Sequence, residues 1–196
     1  MDGNLARKEG RDYELFDGKA VMLASPSMSH LFVADSIHDI FKNYLRGKPC
    51  EAVPDGATLY LKDEKGSQIC LKPDMMVVCD KGKIRWETGS VYGAPDLLVE
   101  VLSPGTARYD RGRKMRFYAL NGVREYWIVD PRIRVVEQYI LEDGNYRLRD
   151  MYTLFTKEML DDMDEEDRAE AATQFRCSLY DDLIIRLEDI FERAEP

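Results

Sequence analysis

The sequence predicts an α/β domain with a central sheet covered on both faces, and three observations carry that reading. The segments "QICLKPDMMVVCD" (68–80) and "DLLVEVLS" (96–103) hold nearly continuous apolar runs, the pattern of strands buried on both sides. "TARYDRGRKMRFYALNGV" (106–123) reads as a helix: Met115, Tyr118 and Ala119 continue one apolar face, and Asn121-Gly122 supplies a C-terminal stop. "EYWIVD" (125–130) follows as another strand, so strand, helix and strand succeed one another around a buried sheet. At 196 residues the chain suits one well-buried domain and is short for two, so a single domain over 1–196 is expected.

The remaining elements fit around that frame. "YELFDGKAVMLAS" (13–25) reads as a β-hairpin turning at Asp17-Gly18. After a Ser/Pro-rich opening, Leu31, Ala34, Ile37, Phe41, Tyr44 and Leu45 recur at helical spacing and predict a long helix from Ser27 or Ser29 to about Arg46. "CEAVPDGATLYLK" (50–62) reads as extended with a turn-like opening, and "KGKIRWETGSVYG" (81–93) as a polar, Gly-containing loop. "RVVEQYIL" and "NYRLRDMY" form two strands joined at Asp143-Gly144. The acidic stretch 157–170 is helix-compatible, a surface segment or insertion, and Leu183, Leu187, Ile190 and Phe191 let the last residues pack back as a short helix.

Composition excludes several classes. No apolar run is long enough to cross a bilayer, and the N-terminal residues lack the apolar core of a signal peptide. Cys50, Cys70, Cys79 and Cys177 are scattered without a CxxC pair, so reduced thiols serving as core packing and a cytoplasmic location are expected. A net charge of -9 argues against coating nucleic acid nonspecifically. Charge is local, however: "RYDRGRKMR" (108–116) sets five basic residues against one Asp, a surface for a polyanion or equally a solvated helix face.

Asp96 and Glu100 interrupt the apolar run of 96–102, and a buried carboxylate is normally paired or bound to a metal. On one strand they share a face but stand roughly 13 Å apart, too far to hold one ion directly. Asp74 opens the other buried strand; laid beside Glu100 it would form an oxygen-rich site for a hard cation such as Mg²⁺. Asp110 and Lys114 lie four residues apart on one helix face, either as a surface salt bridge or as part of this site. The tight connection Ser103-Pro104-Gly105-Thr106 folds the helix back across its strand and could carry the Lys114 ammonium over the carboxylates, where it would orient a water and stabilise charge on a phosphoryl oxygen. His30 is a substrate or metal contact or a helix cap, Glu14 a further acid or a solvated strand residue, and Asp96 a site residue or a strand-start hydrogen-bond acceptor.

At these residues the sequence resembles a known family. "YELFDGKAVMLASPSMSH", "LKPDMMVVCD", "PDLLVEVLSPGTARYDRGRKMRFYALNGVREYWIVDP" and "LIIRLEDIF", in this order, are similar to the Uma-two type endonucleases, a restriction endonuclease-like family. The resemblance implies the PD-(D/E)XK nuclease fold, a central mixed sheet flanked by helices, and phosphodiester hydrolysis dependent on Mg²⁺ or Mn²⁺. By position Asp74 becomes the first strand's aspartate and Glu100 the second's acid. The usual Glu-x-Lys would need lysine at 102, where the chain has Leu102; a lysine moved to the following helix, here Lys114, is a variation this superfamily shows.

Two functions follow as expectations. One is a metal-dependent endonuclease acting on DNA, with Asp74 and Glu100 on the metal, Lys114 assisting water, and Arg108, Arg111, Arg113 and Arg116 holding the phosphate backbone. Cutting both strands would benefit from a homodimer. The other is a nuclease-fold binding module without catalysis, recruiting a protein partner through its acidic surface.

Overall fold

The computed structural model describes residues 7–8, 11–16, 19–22 and 25–194. Three short strands open the chain, β1 (Arg7–Lys8), β2 (Arg11–Phe16) and β3 (Lys19–Met22), and β2 and β3 form the expected antiparallel hairpin. Its Asp17-Gly18 turn lies outside the described residues. Helix α1 (Met28–Tyr44) begins where the Ser27 hydroxyl accepts the His30 N–H, and it buries Val33, Ala34, Ile37 and Phe41 along one face.

Two of the expected extended segments each break into two strands that belong to different sheets. In 50–62, β4 (Glu51–Pro54) ends at Asp55-Gly56, where Gly56 takes φ +92°, and β5 (Thr58–Lys62) leaves in a new direction. In 68–80, β6 (Gln68–Leu71) and β7 (Met75–Val78) are separated by Lys72-Pro73-Asp74, because Pro73 offers no N–H to a ladder. The presumed loop 81–93 also carries structure: a 3₁₀ turn (Lys81–Lys83), β8 (Ile84–Arg85) and β9 (Ser90–Tyr92), strands too short to give a periodic signal.

Next come β10 (Leu97–Val101), a helix and β11 (Glu125–Asp130). The helix is continuous but not uniform: α2 (Ala107–Tyr109) passes through a π-turn (Asp110–Lys114) into α3 (Met115–Asn121), which ends at Gly122 with φ +82°. Strands β12 (Val135–Glu142) and β13 (Asn145–Thr153) make a long hairpin. The acidic stretch forms two short helices without buried residues, α4 (Lys157–Asp161) and α5 (Glu165–Glu170), before β14 (Gln174–Arg176), β15 (Ile184–Arg186) and α6 (Leu187–Phe191).

The strands form two large mixed sheets rather than one, with β14 and β15 apart as a pair. Six strands run in the order β13-β12-β11-β10-β7-β4; the second sheet runs β1-β2-β6-β5-β9-β8, with β3 on β2. In the first, β10 lies parallel to β11 and antiparallel to β7, and every residue of β7, β10 and β11 is buried. One face carries Met75, Val77, Leu97, Val99 and Trp127 against α1 and α6. The other carries Met76, Val78, Leu98 and Ile128 against Leu59, Leu61, Ile69 and Val91 of the second sheet and Phe117 and Tyr118 of α3. No helix among the described residues is long and apolar enough to cross a membrane.

The expectation of free thiols needs correcting. The antiparallel pairing of Glu51 with Val78 brings the flanking residues Cys50 and Cys79 together, and they form a disulfide, whereas Cys70 and Cys177 are free and buried.

Candidate active site

The chain crosses between its sheets at Asp55-Gly56 and at Lys72-Pro73-Asp74, and these crossings are neighbours because Pro54 pairs with Met75. A carboxylate therefore stands at each, on the seam between the sheets. β10 adds Glu100 beside this seam: the pairs Leu97–Val77, Leu98–Met76 and Val99–Met75 bring Asp74 next to Glu100 and Val101. Strand alternation turns Glu100 to the same side as Leu98, toward the helix and the second sheet. β2 brings Glu14, whose Oε1 accepts the Lys72 N–H at 2.9 Å.

The π-turn completes the cluster. Lys114 Nζ lies 3.0 Å from Glu14 Oε1, 3.1 Å from Glu100 Oε1 and 3.1 Å from Asp110 Oδ1, and all four side chains are at most 4% exposed. The π-turn widens the helix where Asp110 and Lys114 face inward, a distortion often found at functional sites. Tyr118, one turn on, donates its hydroxyl to Glu100 Oε1 at 2.5 Å, and the Tyr126 hydroxyl donates to the Asp110 carbonyl at 3.1 Å. Asp74 is fixed by two bonds: Oδ2 accepts the Val101 N–H at 2.6 Å, and Oδ1 meets His30 Nε2 at 2.9 Å. The other His30 ring nitrogen, Nδ1, is buried without a hydrogen-bond partner.

One ammonium thus serves three carboxylates, with Asp74 adjoining. Burial holds the Glu100 carboxyl well above the ordinary range; Lys114 pulls it down, and Asp110, Asp74 and Glu14 push it further up. Burial would strip Lys114 of its proton, but Glu100, Glu14 and Asp110 outweigh that and hold it well above its usual value. For His30, too, burial works against the charged form, and the Asp74 hydrogen bond with the charges of Asp74, Asp55 and Asp110 raises it overall. Asp55 is pushed up by burial and by Asp74.

The structure brings Asp74, Glu100, Lys114, Asp110, Glu14 and His30 together and leaves the other sequence candidates elsewhere. Asp96 lies at the far end of β10, where Oδ2 accepts the Cys79 N–H at 2.7 Å and Oδ1 meets Arg124 at 2.5 Å. The arginines face away from Lys114: Arg108, Arg111 and Arg116 are exposed, Arg113 is half-buried, and Arg111 is bound to Glu137 by Nε at 3.1 Å and by its terminal nitrogen. Arg108, Arg113 and Arg116 share a shallow surface with Tyr109 and Met115. Asp55 is the residue that sequence reasoning passed over, its Asp-Gly taken as a turn; the signal was a third Pro-Asp step beside Pro73-Asp74 and Pro95-Asp96. A groove of about 340 Å³ between α1 and the β4–β5 turn opens Asp55 and Asp74 to solvent past Leu31, His38 and Pro54.

Among the described residues no three His, Cys, Asp or Glu side chains stand as a ready-made metal cage. The donor set nevertheless suits a hard divalent cation: two carboxylates side by side, Asp74 and Glu100, in a buried group with more anions than cations. Mg²⁺ commonly takes one or two carboxylates and fills its octahedron with water.

The chain matches the Uma2 family, described as "Putative restriction endonuclease", over residues 3–167. Two relatives come from Synechocystis sp. (strain ATCC 27184 / PCC 6803 / Kazusa). The uncharacterized protein slr1290 is 29% identical over 154 residues, 75% of this chain and 78% of that protein; the uncharacterized protein sll1609 is 24% identical over 127 residues, 64% and 70%. Among solved structures, a chain from Anabaena variabilis ATCC 29413 described as "a putative nuclease belonging to DUF820" superposes with a TM-score of 0.70 at 16% identity, covering 96% of this chain and 94% of that one. At that identity the likeness establishes a shared α/β fold.

Proposed function

The chain belongs to the Uma2 restriction endonuclease-like family, and from that membership and the buried cluster we propose that it is a metal-dependent endonuclease hydrolysing phosphodiester bonds, with DNA as substrate. The observation that carries the reading is Lys114 clamped by Glu100, Glu14 and Asp110, with Asp74 next to Glu100 across the β7–β10 pair. A structural ion pair needs one carboxylate; a surplus of buried carboxylates is costly unless a further cation offsets it.

In this reading Asp74 and Glu100 hold Mg²⁺ or Mn²⁺. The ion, when bound, polarises the phosphoryl oxygen and lowers the pKa of water. His30 and the Val101 N–H fix the orientation of Asp74, and Tyr118 fixes Glu100. Lys114, held by Glu14 and Asp110, orients the attacking water and stabilises charge developing on the phosphoryl oxygen. Water adds to phosphorus, one P–O ester bond breaks, and the products are a phosphate monoester and a hydroxyl. Arg108, Arg113 and Arg116 offer charge to the strand beyond the scissile phosphate, and a homodimer would supply the second site needed to cut both strands.

The test is cleavage of plasmid, single-stranded and branched DNA with Mg²⁺ or Mn²⁺, comparing wild type with Asp74→Ala, Glu100→Gln and Lys114→Arg. Metal-dependent cleavage lost in all three folded variants supports the reading. Unchanged cleavage in Asp74→Ala or Glu100→Gln sinks the assignment. No cleavage by wild type, with no Mn²⁺ binding in calorimetry, leaves a nuclease-fold binding module.

A further inference from the structure

The groove at Asp55 continues in a second direction. Between Glu51–Ala57 and the β8–β9 hairpin runs a trough of about 340 Å³, lined by Pro54, Asp55, Gly56, Arg85, Trp86 and Gly89 among others. It shares Pro54 and Asp55 with the groove that opens Asp74. The hairpin tip is tied to this end of the trough, since the Thr58 N–H donates to the Gly89 carbonyl at 3.0 Å. A chain lying across the candidate active site would therefore meet the tip next.

The tip carries a large aromatic surface with nothing on it. Trp86 is 68% exposed, and its indole makes no hydrogen bond or ring contact among the described residues. Beside it, the Arg85 guanidinium lies over the Tyr92 ring at 5.5 Å, and Tyr92 stacks on Tyr60 with centroids 4.6 Å apart. The hairpin side of the trough is basic, with Lys81, Lys83 and Arg85 against Glu87 in 81–95, while the facing wall carries Glu51 and Asp55. Lys81 is paired with Glu51, but Lys83 donates to the Ala94 carbonyl at 2.7 Å and Arg85 to the Gly82 carbonyl at 2.6 Å, so neither positive charge is cancelled.

We propose that this trough is a stacking site for an unpaired base of the nucleic-acid substrate, with Trp86 as the platform and Arg85 beside it to meet the adjoining phosphate. Exposed aromatics flanked by uncancelled cations are how proteins hold single strands without reading their sequence. A base pair inside a duplex hides its faces in the stack, so the site favours single-stranded, flapped or frayed ends over intact duplex. The inference rests on the nuclease reading for its choice of ligand.

The test uses the whole protein in EDTA, where binding is read without cleavage. Trp127 is fully buried, so Trp86 is the tryptophan open to a ligand. A single-stranded DNA oligonucleotide is expected to quench Trp86 emission in wild type and not in Trp86→Phe. By fluorescence anisotropy of labelled DNA, Trp86→Ala is expected to weaken single-strand binding about tenfold while Trp86→Phe restores most of it and duplex binding stays unchanged. Equal single-strand affinity in wild type and Trp86→Ala overturns the stacking site, as does binding without quenching or no single-strand binding by wild type. If that happens while metal-dependent cleavage persists, the stacking site alone falls; Trp86-dependent binding in a protein that cleaves nothing leaves the stacking site standing and removes the nuclease reading.

Discussion

Asp74 and Asp96 stand at opposite ends of the β7–β10 pair, each following a proline and each accepting a backbone N–H from the other's strand. Asp74 Oδ2 takes the Val101 N–H at 2.6 Å, and Asp96 Oδ2 takes the Cys79 N–H at 2.7 Å. The two look interchangeable in sequence, yet only Asp74 has Glu100 beside it across the β7–β10 pair and, through Glu100, the Lys114 cluster. Asp96→Asn is therefore expected to lower stability by about 1–2 kcal/mol, from a weakened charged hydrogen bond, and to keep cleavage. Asp74→Asn is expected to lose cleavage. Thermal melts alongside a plasmid assay check the pair; loss of cleavage in a folded Asp96→Asn protein would put Asp96 back in the active site.

Glu100 is held with its carboxyl well above the ordinary range by burial, which fixes the sign of its pH dependence. A group with a raised folded-state pKa contributes stability below its unfolded value, about 4.3, and loses it as pH rises through the folded value. In its ionised form and without metal its charge is thus a burden. Glu100→Gln keeps an acceptor for Tyr118 and leaves Lys114 with Glu14 and Asp110, so it is expected to melt higher than wild type at pH 8. That gain is expected to shrink toward pH 5, because proton uptake as pH falls removes the buried charge from wild-type Glu100. Melting curves in EDTA at both pH values decide it, and a variant less stable than wild type at pH 8 would contradict the charge imbalance.

What the sequence made legible were the elements with long apolar runs. β7, β10 and β11 are buried throughout, and their continuous hydrophobicity announced a sheet covered on both faces. The meeting of Asp74, Glu100 and Lys114 was also legible, because a strand, a tight connection and a returning helix leave few places for the lysine to go. Less visible was that the chain changes sheets twice: Pro54-Asp55-Gly56 reads as a turn-like opening and Lys72-Pro73-Asp74 as part of one extended segment, and nothing local reveals that they lie side by side. Asp55 was missed for that reason. Glu14 and His30 carried alternatives because their roles depend on contacts with residues 100 and 44 positions away, a separation that no periodicity encodes.

Lys114 sits among three carboxylates at 3% side-chain exposure, so its removal differs from the loss of a surface cation. Lys114→Met leaves Glu14, Glu100 and Asp110 buried without their counter-ion and is expected to cost about 3–5 kcal/mol. Lys114→Arg keeps the charge but replaces a compact ammonium by a planar fork; it is expected to fold and to lose most cleavage. Adding Glu14→Gln to Lys114→Met removes one stranded charge and is expected to recover part of the lost stability, as a denaturant double-mutant cycle would measure. Strict additivity of the two changes would mean that Glu14 and Lys114 are not coupled.

Glu125 shows how a buried carboxylate is satisfied without a cation, and so sharpens the contrast with Glu100. Its Oε1 accepts from Trp127 Nε1 at 2.7 Å, Gln138 Nε2 at 2.6 Å and the Ser178 N–H at 3.2 Å, while Oε2 accepts from the Leu179 N–H at 3.1 Å. Those bonds stitch β11 and β12 to the segment between β14 and β15, and β15 leads directly into α6, which covers one face of the central sheet. Glu125→Ala would leave these buried donors without an acceptor, at about 1–3 kcal/mol for each one left unpaired. The expected result is a protein destabilised by roughly 3 kcal/mol or more, with residues 174–194 opening to protease before the sheet does. Limited proteolysis followed by mass spectrometry reads the order of cleavage. Uniform digestion of variant and wild type would show that Glu125 does not hold the C-terminal segment in place.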